Sequence, residues 1–309
     1  MVAKRRLKSS SQKQKKSVKK NKNNGKAIDP ITFSVILNRF NTIATEMSST
    51  MERTAWSSII SISHDFSCAI YDVQHRQVCM FDALPVHTNS LHVVLKEIAK
   101  AFEGDIHEGD VIVCNDPYSG NTHVGDFVTA CPVFYKGKHL FWSVTKGHQL
   151  DCGAYVPTSV PAAATDVWQE GLQLPPIKFY KKGVPQEDVI RMYLANIRFK
   201  DWLYGDLMAQ LGSIWTGQKR ILELLDKYGV ADLERYTEAI LITRISVQPL
   251  KFELCRTVNI MGILGWIVTV KEQQIFIFTQ KSLLKGIWYM LISRVHQNKV
   301  LAQTTAVLL

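Results

Sequence analysis

The chain has 309 residues, 46% apolar and 21% charged, enough to bury one large core or two modest ones. Its formal charge of +10 is unevenly placed. Residues 1–26 hold eleven Lys/Arg and no acid, residues 242–309 hold eight Lys/Arg and two acids, and the stretch between carries 18 bases against 25 acids, a net of −7. An acidic middle excludes a basic nucleic-acid-binding core, and six scattered cysteines with no C-x-x-C pair exclude a disulfide scaffold and read as reduced thiols of a cytoplasmic protein.

Residues 1–28 read as a disordered basic tail, because MVAKRRLKSSSQKQKKSVKKNKNNGK buries too little apolar surface to offset the entropy of ordering. A solvated tail is the plain interpretation, and a polyanion-binding arm or import-like basic run is the sharper one. No apolar stretch follows it, which argues against a signal peptide, and it is Lys-rich rather than Arg-rich and amphipathic, which argues against a transit peptide.

Order is expected from Asp29-Pro30, an N-cap followed by proline at the first helical position. Val35, Ile36, Phe40, Ile43, Met47 and Met51 then mark an amphipathic helix. Phe66 to Tyr71 and Gln77 to Phe81 read as a β-hairpin, and Leu91, Val94, Leu95, Ile98, Ala101 and Phe102 give a second helix. Strands are expected at Val111–Cys114, Phe127–Tyr135 and His139–Val144, the last two joined across Lys136-Gly137-Lys138. Residues 156–185 are proline-rich and read as a long surface loop. Helix follows from Glu187 to Tyr228, with Trp202, Leu207, Leu211, Ile214, Trp215, Ile221, Leu222 and Leu225 as core contacts and Gly229 as the stop; another begins within Asp232 to Leu241. The expected class is α+β, a mixed or antiparallel sheet with flanking helices, over residues 29–241.

Beyond Leu241 the character changes. Val258–Val270, Ile275–Phe278 and Ile287–Ile292 are apolar with little period, too short for a membrane span of about 20 residues and prone to aggregate as strands. Residues 242–309 therefore read as an atypical apolar tail.

Chemistry concentrates between Asn115 and Gly153. Two units place histidine three residues before aspartate, His123-Val124-Gly125-Asp126 and His148-Gln149-Leu150-Asp151. Positions i and i+3 of a strand face opposite ways, so His123 and Asp126 can share one ion only if Thr122–Asp126 forms a turn, which the turn-forming residues Asn115 to Asn121 favour. Hairpin geometry would return His148 beside them. Two imidazoles and a carboxylate then make a facial set for a borderline divalent metal, with Asp151 as a fourth ligand or as the acceptor that orients an imidazole. The alternative is that both histidines are ordinary polar loop residues. Glu170, in Trp168-Gln169-Glu170-Gly171, reads as a base or substrate clamp, or as a solvated loop acid. His64-Asp65 offers a carboxylate near a pocket or a simple strand-entry turn, and His87 reads as structural. There is no G-x-x-x-x-G-K-[ST], G-x-G-x-x-G or G-x-S-x-G, so nucleotide energy, if used, is expected to be bound by another chain.

Residues Asp29 to Leu241 resemble the N-terminal portion of the hydantoinase B/oxoprolinase family, whose members include a subunit of N-methylhydantoinase, a subunit of acetone carboxylase and part of 5-oxoprolinase. The resemblance runs through Asp29-Pro30-Ile31-Thr32, Arg53-Thr54-Ala55, Asp65-Phe66-Ser67-Cys68-Ala69, Pro85-Val86-His87, Gly109-Asp110-Val111 and Asn115-Asp116-Pro117-Tyr118. It continues in Gly120-Asn121-Thr122-His123 with Asp126, Gly147-His148 with Asp151 and Gly153, Gln169-Glu170-Gly171-Leu172, Pro175-Pro176-Ile177-Lys178, Leu194 to Arg198 and Gly205-Asp206-Leu207.

The resemblance implies ATP-dependent attack on a poorly electrophilic carbonyl, opening a cyclic amide or carboxylating a ketone, with ATP held by an A-type partner subunit in a hetero-oligomer. It implies a manganese ion at the positions of His123, Asp126 and His148; zinc or iron are the alternatives, and Asp151 and Glu170 remain the candidate catalytic residues read from the motifs. Gly-Asn-Thr-His looks more like the carboxylase branch than the Gly-Gly-Thr-His of hydantoinases. Two departures stand out: Ala154 replaces a second glycine, and nothing after Leu241 resembles the family's continuation. The Ile, Phe and Lys bias of residues 242–309 suits a frameshifted ending, so a truncated, inactive remnant is the first alternative to an enzyme subunit, and a polyanion-binding protein is the second.

Overall fold

The computed structural model describes residues 27–82, 85–257, 266–271, 274–279 and 291–294. The basic tail of residues 1–26 and, in the apolar tail, residues 258–265, 272–273, 280–290 and 295–309 lie outside these. Helix α1 (Pro30–Thr54) starts where Asp29 accepts a hydrogen bond from the Thr32 amide at 2.8 Å, as the N-cap reading expects. The short helix α2 (Ser58–Ser61) leads into the hairpin β1 (Phe66–Asp72) and β2 (Gln77–Asp82), and α3 (Pro85–Ala101) crosses to β3 (Val111–Cys114). A second hairpin, β4 (Asp126–Tyr135) and β5 (Lys138–His148), follows the 3-10 turn η1 (Pro117–Ser119). The chain then passes through the 3-10 turn η2 (Val167–Glu170), strands β6 (Ile177–Lys181) and β7 (Val184–Pro185), and helices α4 (Glu187–Ala195), α5 (Lys200–Tyr228) and α6 (Val230–Thr257).

The strands form one seven-stranded sheet in the order β2-β1-β5-β4-β3-β6-β7, every pairing antiparallel. Both faces are covered. Cys68 and Ile70 of β1 pack with Ile36, Phe40 and Met47 of α1 and with Ile221 and Leu225 of α5. Their alternate neighbours Ala69 and Tyr71 pack with Leu91, Val94 and Ile98 of α3. Such a sheet needs apolar residues on both sides of its strands, which is why β1 is buried along its whole length rather than alternating. In the tail, β8 (Trp266–Lys271), β9 (Gln274–Thr279) and β10 (Leu291–Arg294) form a separate three-stranded sheet in the order β10-β9-β8.

Three expectations are corrected. The helix expected from Glu187 to Tyr228 is two helices, α4 and α5, broken at residues 196–199. The segment 156–185 is not loop throughout: Ile177–Lys181 pairs with β3, which would otherwise be left as the sheet edge, and Phe179 is fully buried there. Pro176 and Pro185 stand at the ends of that added ribbon, where no ladder amide is lost. Trp202 and Trp215 are not core residues but lie 48% and 41% exposed. The inward side of α5 keeps the expected Leu207, Leu211, Ile214, Ile221 and Leu225, but between them it carries small and polar groups, Gly205, Asp206, Gln210, Ser213 and Gly217. A Cβ on Gly205 would stand 2.3 Å from Trp56 Cγ, and one on Gly217 would stand 2.4 Å from Ser143 Oγ. At these two points α5 approaches the Trp56 ring and the Ser143 and Met47 side chains too closely to carry a side chain of its own.

Gly229 ends α5 at φ +75°. Cys68, Cys79, Cys114, Cys131 and Cys152 are free and buried. Among the described residues, no helix is long and apolar enough to cross a membrane.

Candidate metal centre

The centre is assembled where β4 begins and β5 ends. Antiparallel pairing sets Asp126 directly opposite His148, and both side chains lie on the face covered by α3. His123 joins them through a turn. The Asp126 amide donates to the His123 carbonyl at 3.2 Å, bringing residues i and i+3 to one side as the spacing required. Two asparagines hold this turn. Asn121 Nδ2 donates to the carbonyls of Asn115, His123 and Asp126, and Asn115 Nδ2 donates to those of Val124 and Leu172. Loop carbonyls left without strand partners are satisfied in this way.

The donor atoms converge. His148 Nδ1 lies 3.0 Å from Asp126 Oδ1 and 3.1 Å from His123 Nε2. All three residues offer a ligand atom within a 4.8 Å cluster. Adjacent ligands bound about 2.1 Å from one ion at right angles stand roughly 3 Å apart, so these two edges fit a facial set. Gly125 leaves the space beside the rings open: a Cβ there would approach His148 Cε1 to 2.7 Å and His123 Nε2 to 2.9 Å. The nitrogen and oxygen donor set suits a borderline divalent cation. His123 is the accessible member, with its side chain 34% exposed, while Asp126 is 1% exposed.

Around this set is a shell the motif reading had not singled out. Lys146 is fully buried, and its Nζ donates to Asp126 Oδ2 at 2.9 Å, to Thr122 Oγ1 at 2.8 Å and to Ser90 Oγ at 2.9 Å. Its signal was present in sequence: two residues before His148 on a strand, it shares that residue's face. Burial alone would raise the Asp126 carboxyl, but the His148 hydrogen bond and the Lys146 charge outweigh it and hold the group well below the usual carboxylate range. Burial lowers the Lys146 ammonium, with Asp126 opposing that drop, and lowers His123 likewise.

His87, expected to be structural, sits 1% exposed beneath the centre, with Nδ1 3.0 Å from Ser67 Oγ and Nε2 3.6 Å from both Asp65 and Asp126. Burial pushes it down to about 4, so its ring is neutral at ordinary pH. Asp65 does border the site, and its carboxyl is raised by burial, with His148 pulling the other way.

The remaining named residues fall elsewhere. Asp151 is fully buried, and its described hydrogen bonds go to Arg198 and the Gly153 amide rather than to the three converging residues. Glu170 closes η2, half-buried, and its charge reaches the Cys152 thiol. His148 Nε2 faces Ser159 Oγ at 2.8 Å, a partner from the loop beyond β5.

Comparison with known proteins gives a consistent result. The family model for hydantoinase B/oxoprolinase matches residues 29–244. Caprolactamase subunit beta from Pseudomonas jessenii is 40% identical over 203 residues, 66% of this chain and 35% of that protein. The crystal structure of the ATP-dependent caprolactamase from the same organism superposes with a TM-score of 0.67 at 32% identity, over 82% of this chain and 44% of that one. A nucleotide-free acetone carboxylase structure shares the fold at a TM-score of 0.64 and 18% identity, over 69% of this chain and 28% of that one. The chain thus spans about a third of the length of the curated relative.

Proposed function

The chain belongs to the hydantoinase B/oxoprolinase family, and from that premise we propose that it is the metal-binding, B-type part of an ATP-dependent enzyme attacking a poorly electrophilic carbonyl. Opening of a cyclic amide is the favoured reaction, in keeping with the relatives named as caprolactamase. Ketone carboxylation is the second possibility, supported only by Gly120-Asn121-Thr122-His123. An A-type subunit would bind ATP, since this sequence has no phosphate-cradling glycine loop of the G-x-x-x-x-G-K-[ST] type.

His123, Asp126 and His148 would hold the ion, manganese first and zinc or iron otherwise. Bound there, a divalent cation would supply Lewis-acid polarisation of the substrate carbonyl. The observation that carries the reading is the pair of donor separations, 3.0 and 3.1 Å, meeting at His148 Nδ1. Lys146 keeps Asp126 ionised and fixes its Oδ2, leaving Oδ1 for the ligand role. His123, on the exposed side, marks the direction from which substrate would enter. Glu170 is assigned as base or substrate clamp, and Asp151, through Arg198, as the group that holds the adjoining loop in place for catalysis.

Elemental analysis of the purified chain tests this. About one divalent ion per chain is expected in the parent protein and little in His123→Ala or His148→Ala, with circular dichroism unchanged. Full occupancy in either variant would remove the ligand assignment. Turnover with an A-type partner then separates an active subunit from a metal-loaded remnant.

A further inference from the structure

We infer that Ser159 is a positioning residue for the metal centre, carried by a strap that latches onto His148; this rests on the reading of His123, Asp126 and His148 as ligands. The strap is the segment between Gly153 and Gly171. Its two ends are tied together where the Leu172 amide donates to the Cys152 carbonyl at 2.7 Å. Asp151, just before it, gathers the Arg198 amide at 2.7 Å and the Arg198 guanidinium at 3.0 Å, and the same guanidinium also donates to the Ala154 carbonyl.

The neck is so tight that neither end tolerates a side chain. A Cβ on Gly153 would stand 2.3 Å from the Asn196 carbonyl oxygen, and one on Gly171 would stand 2.1 Å from that of Cys152. Both glycines also hold positive φ, +73° and +126°. A loop fixed this firmly at its base can return one side chain to a set place. That side chain is Ser159, whose Oγ lies 2.8 Å from His148 Nε2. With the strap in position, His148 is only 8% exposed.

A neutral imidazole carries one N–H. His148 Nδ1 faces Asp126 and His123, so serving as a ligand requires a lone pair on Nδ1 and the hydrogen on Nε2. Ser159 Oγ then accepts that hydrogen. Without an ion, Nδ1–H donates to Asp126 Oδ1 and the serine hydroxyl turns to donate to Nε2. The hydrogen moves from one ring nitrogen to the other between these two arrangements. A hydroxyl can fill both roles, whereas a methyl group fills neither. Ser159 therefore steadies the ring in each state, and its removal costs most when the metal is bound.

The test compares the full-length chain with Ser159→Ala and Ser159→Thr. Manganese affinity, measured by chelator competition, should fall about 10- to 100-fold in Ser159→Ala and stay within about threefold in Ser159→Thr. Cobalt-loaded protein should show visible absorption bands shifted in the alanine variant and restored in the threonine variant, a signature that general loosening does not produce. Amide exchange across residues 155–164, measured without metal, should quicken in the alanine variant only. Equal manganese affinity and an identical cobalt spectrum in Ser159→Ala would overturn the inference. If the parent chain takes up no metal, the ligand reading itself has failed, and unchanged amide exchange in Ser159→Ala then sinks the latch as well.

Discussion

Asp126 and His148 are direct partners across the β4–β5 ladder, and their side chains meet at 3.0 Å between Oδ1 and Nδ1. The sheet itself therefore sets one edge of the candidate metal set. A site mounted on a ladder pair is held more firmly than one built from loops alone. His123 and Ser159, both from loops, approach this pair from either side.

Lys146 makes Asp126 a structural residue as well as a candidate ligand. Asp126→Asn should abolish metal uptake and also leave a buried ammonium without its counter-charge, costing on the order of 3–5 kcal/mol. Chemical denaturation should detect that loss. The double change Asp126→Asn with Lys146→Met should recover much of the stability and none of the metal binding. A single variant as stable as the parent would contradict the pairing.

Gly125→Ala is expected to separate fold from site. The added methyl group would press on both imidazoles, at 2.7 Å from His148 Cε1 and 2.9 Å from His123 Nε2, so the rings must rotate apart. Metal affinity should fall at least about tenfold, as for loss of a group that orients a ligand, while the melting temperature moves little. Calorimetric titration with manganese measures the first, and thermal unfolding the second.

Asn121→Ala removes donors to three backbone carbonyls, those of Asn115, His123 and Asp126. The His123 carbonyl keeps the Asp126 amide as a partner, while a buried acceptor left unsatisfied costs about 1–3 kcal/mol before relaxation or water entry. A loss of at least about 2 kcal/mol is expected, together with weakened metal uptake. Asn121→Asp should be no better, because a carboxylate has no donor to offer. Urea unfolding of the two variants checks this.

His139 gives the fold a pH dependence separate from the site. Burial pushes its ring down to about 4, partly offset by the hydrogen bond to the Phe141 carbonyl, and it is stacked on Phe134 and edge-on to Trp142. The unfolded ring takes a proton near 6.5 and the folded ring only near 4. Its contribution is therefore intact above pH 6.5, falls as pH drops from 6.5 toward 4, and is constant below that. The loss is on the order of 3 kcal/mol. Stability of the parent minus that of His139→Gln, followed by denaturation from pH 7 to 4, should fall across this window. A flat difference would refute it.

Much of the fold was readable because its periodic signals were strong. Asp29-Pro30 marked the start of α1, Val111–Cys114 gave β3 to the residue, and Gly229 marked the end of α5. The tryptophans of α5 misled because hydrophobicity does not report how closely two helices approach; the glycines and polar residues of that stripe did. The converging triad was legible because hairpin return is geometric. Its surroundings were not, since Ser90, Ser67 and His87 come from distant segments that only the folded sheet and α3 bring near. Ser159 lay hidden in a stretch with no period at all.

Gly147 stands between Lys146 and His148 and faces the opposite side of the sheet, where a Cβ would come within 2.8 Å of Met51 Cε and 2.9 Å of Gln210 Nε2. Sliding β5 by a single position would swing the ammonium and the imidazole into that crowded layer and leave the cation's place empty. Assembly of the candidate metal set is thus tied to one alignment of two strands, with no graded approach to it. Any insertion or deletion inside the 138–148 segment should act as a switch thrown to off, whatever residue it adds or removes.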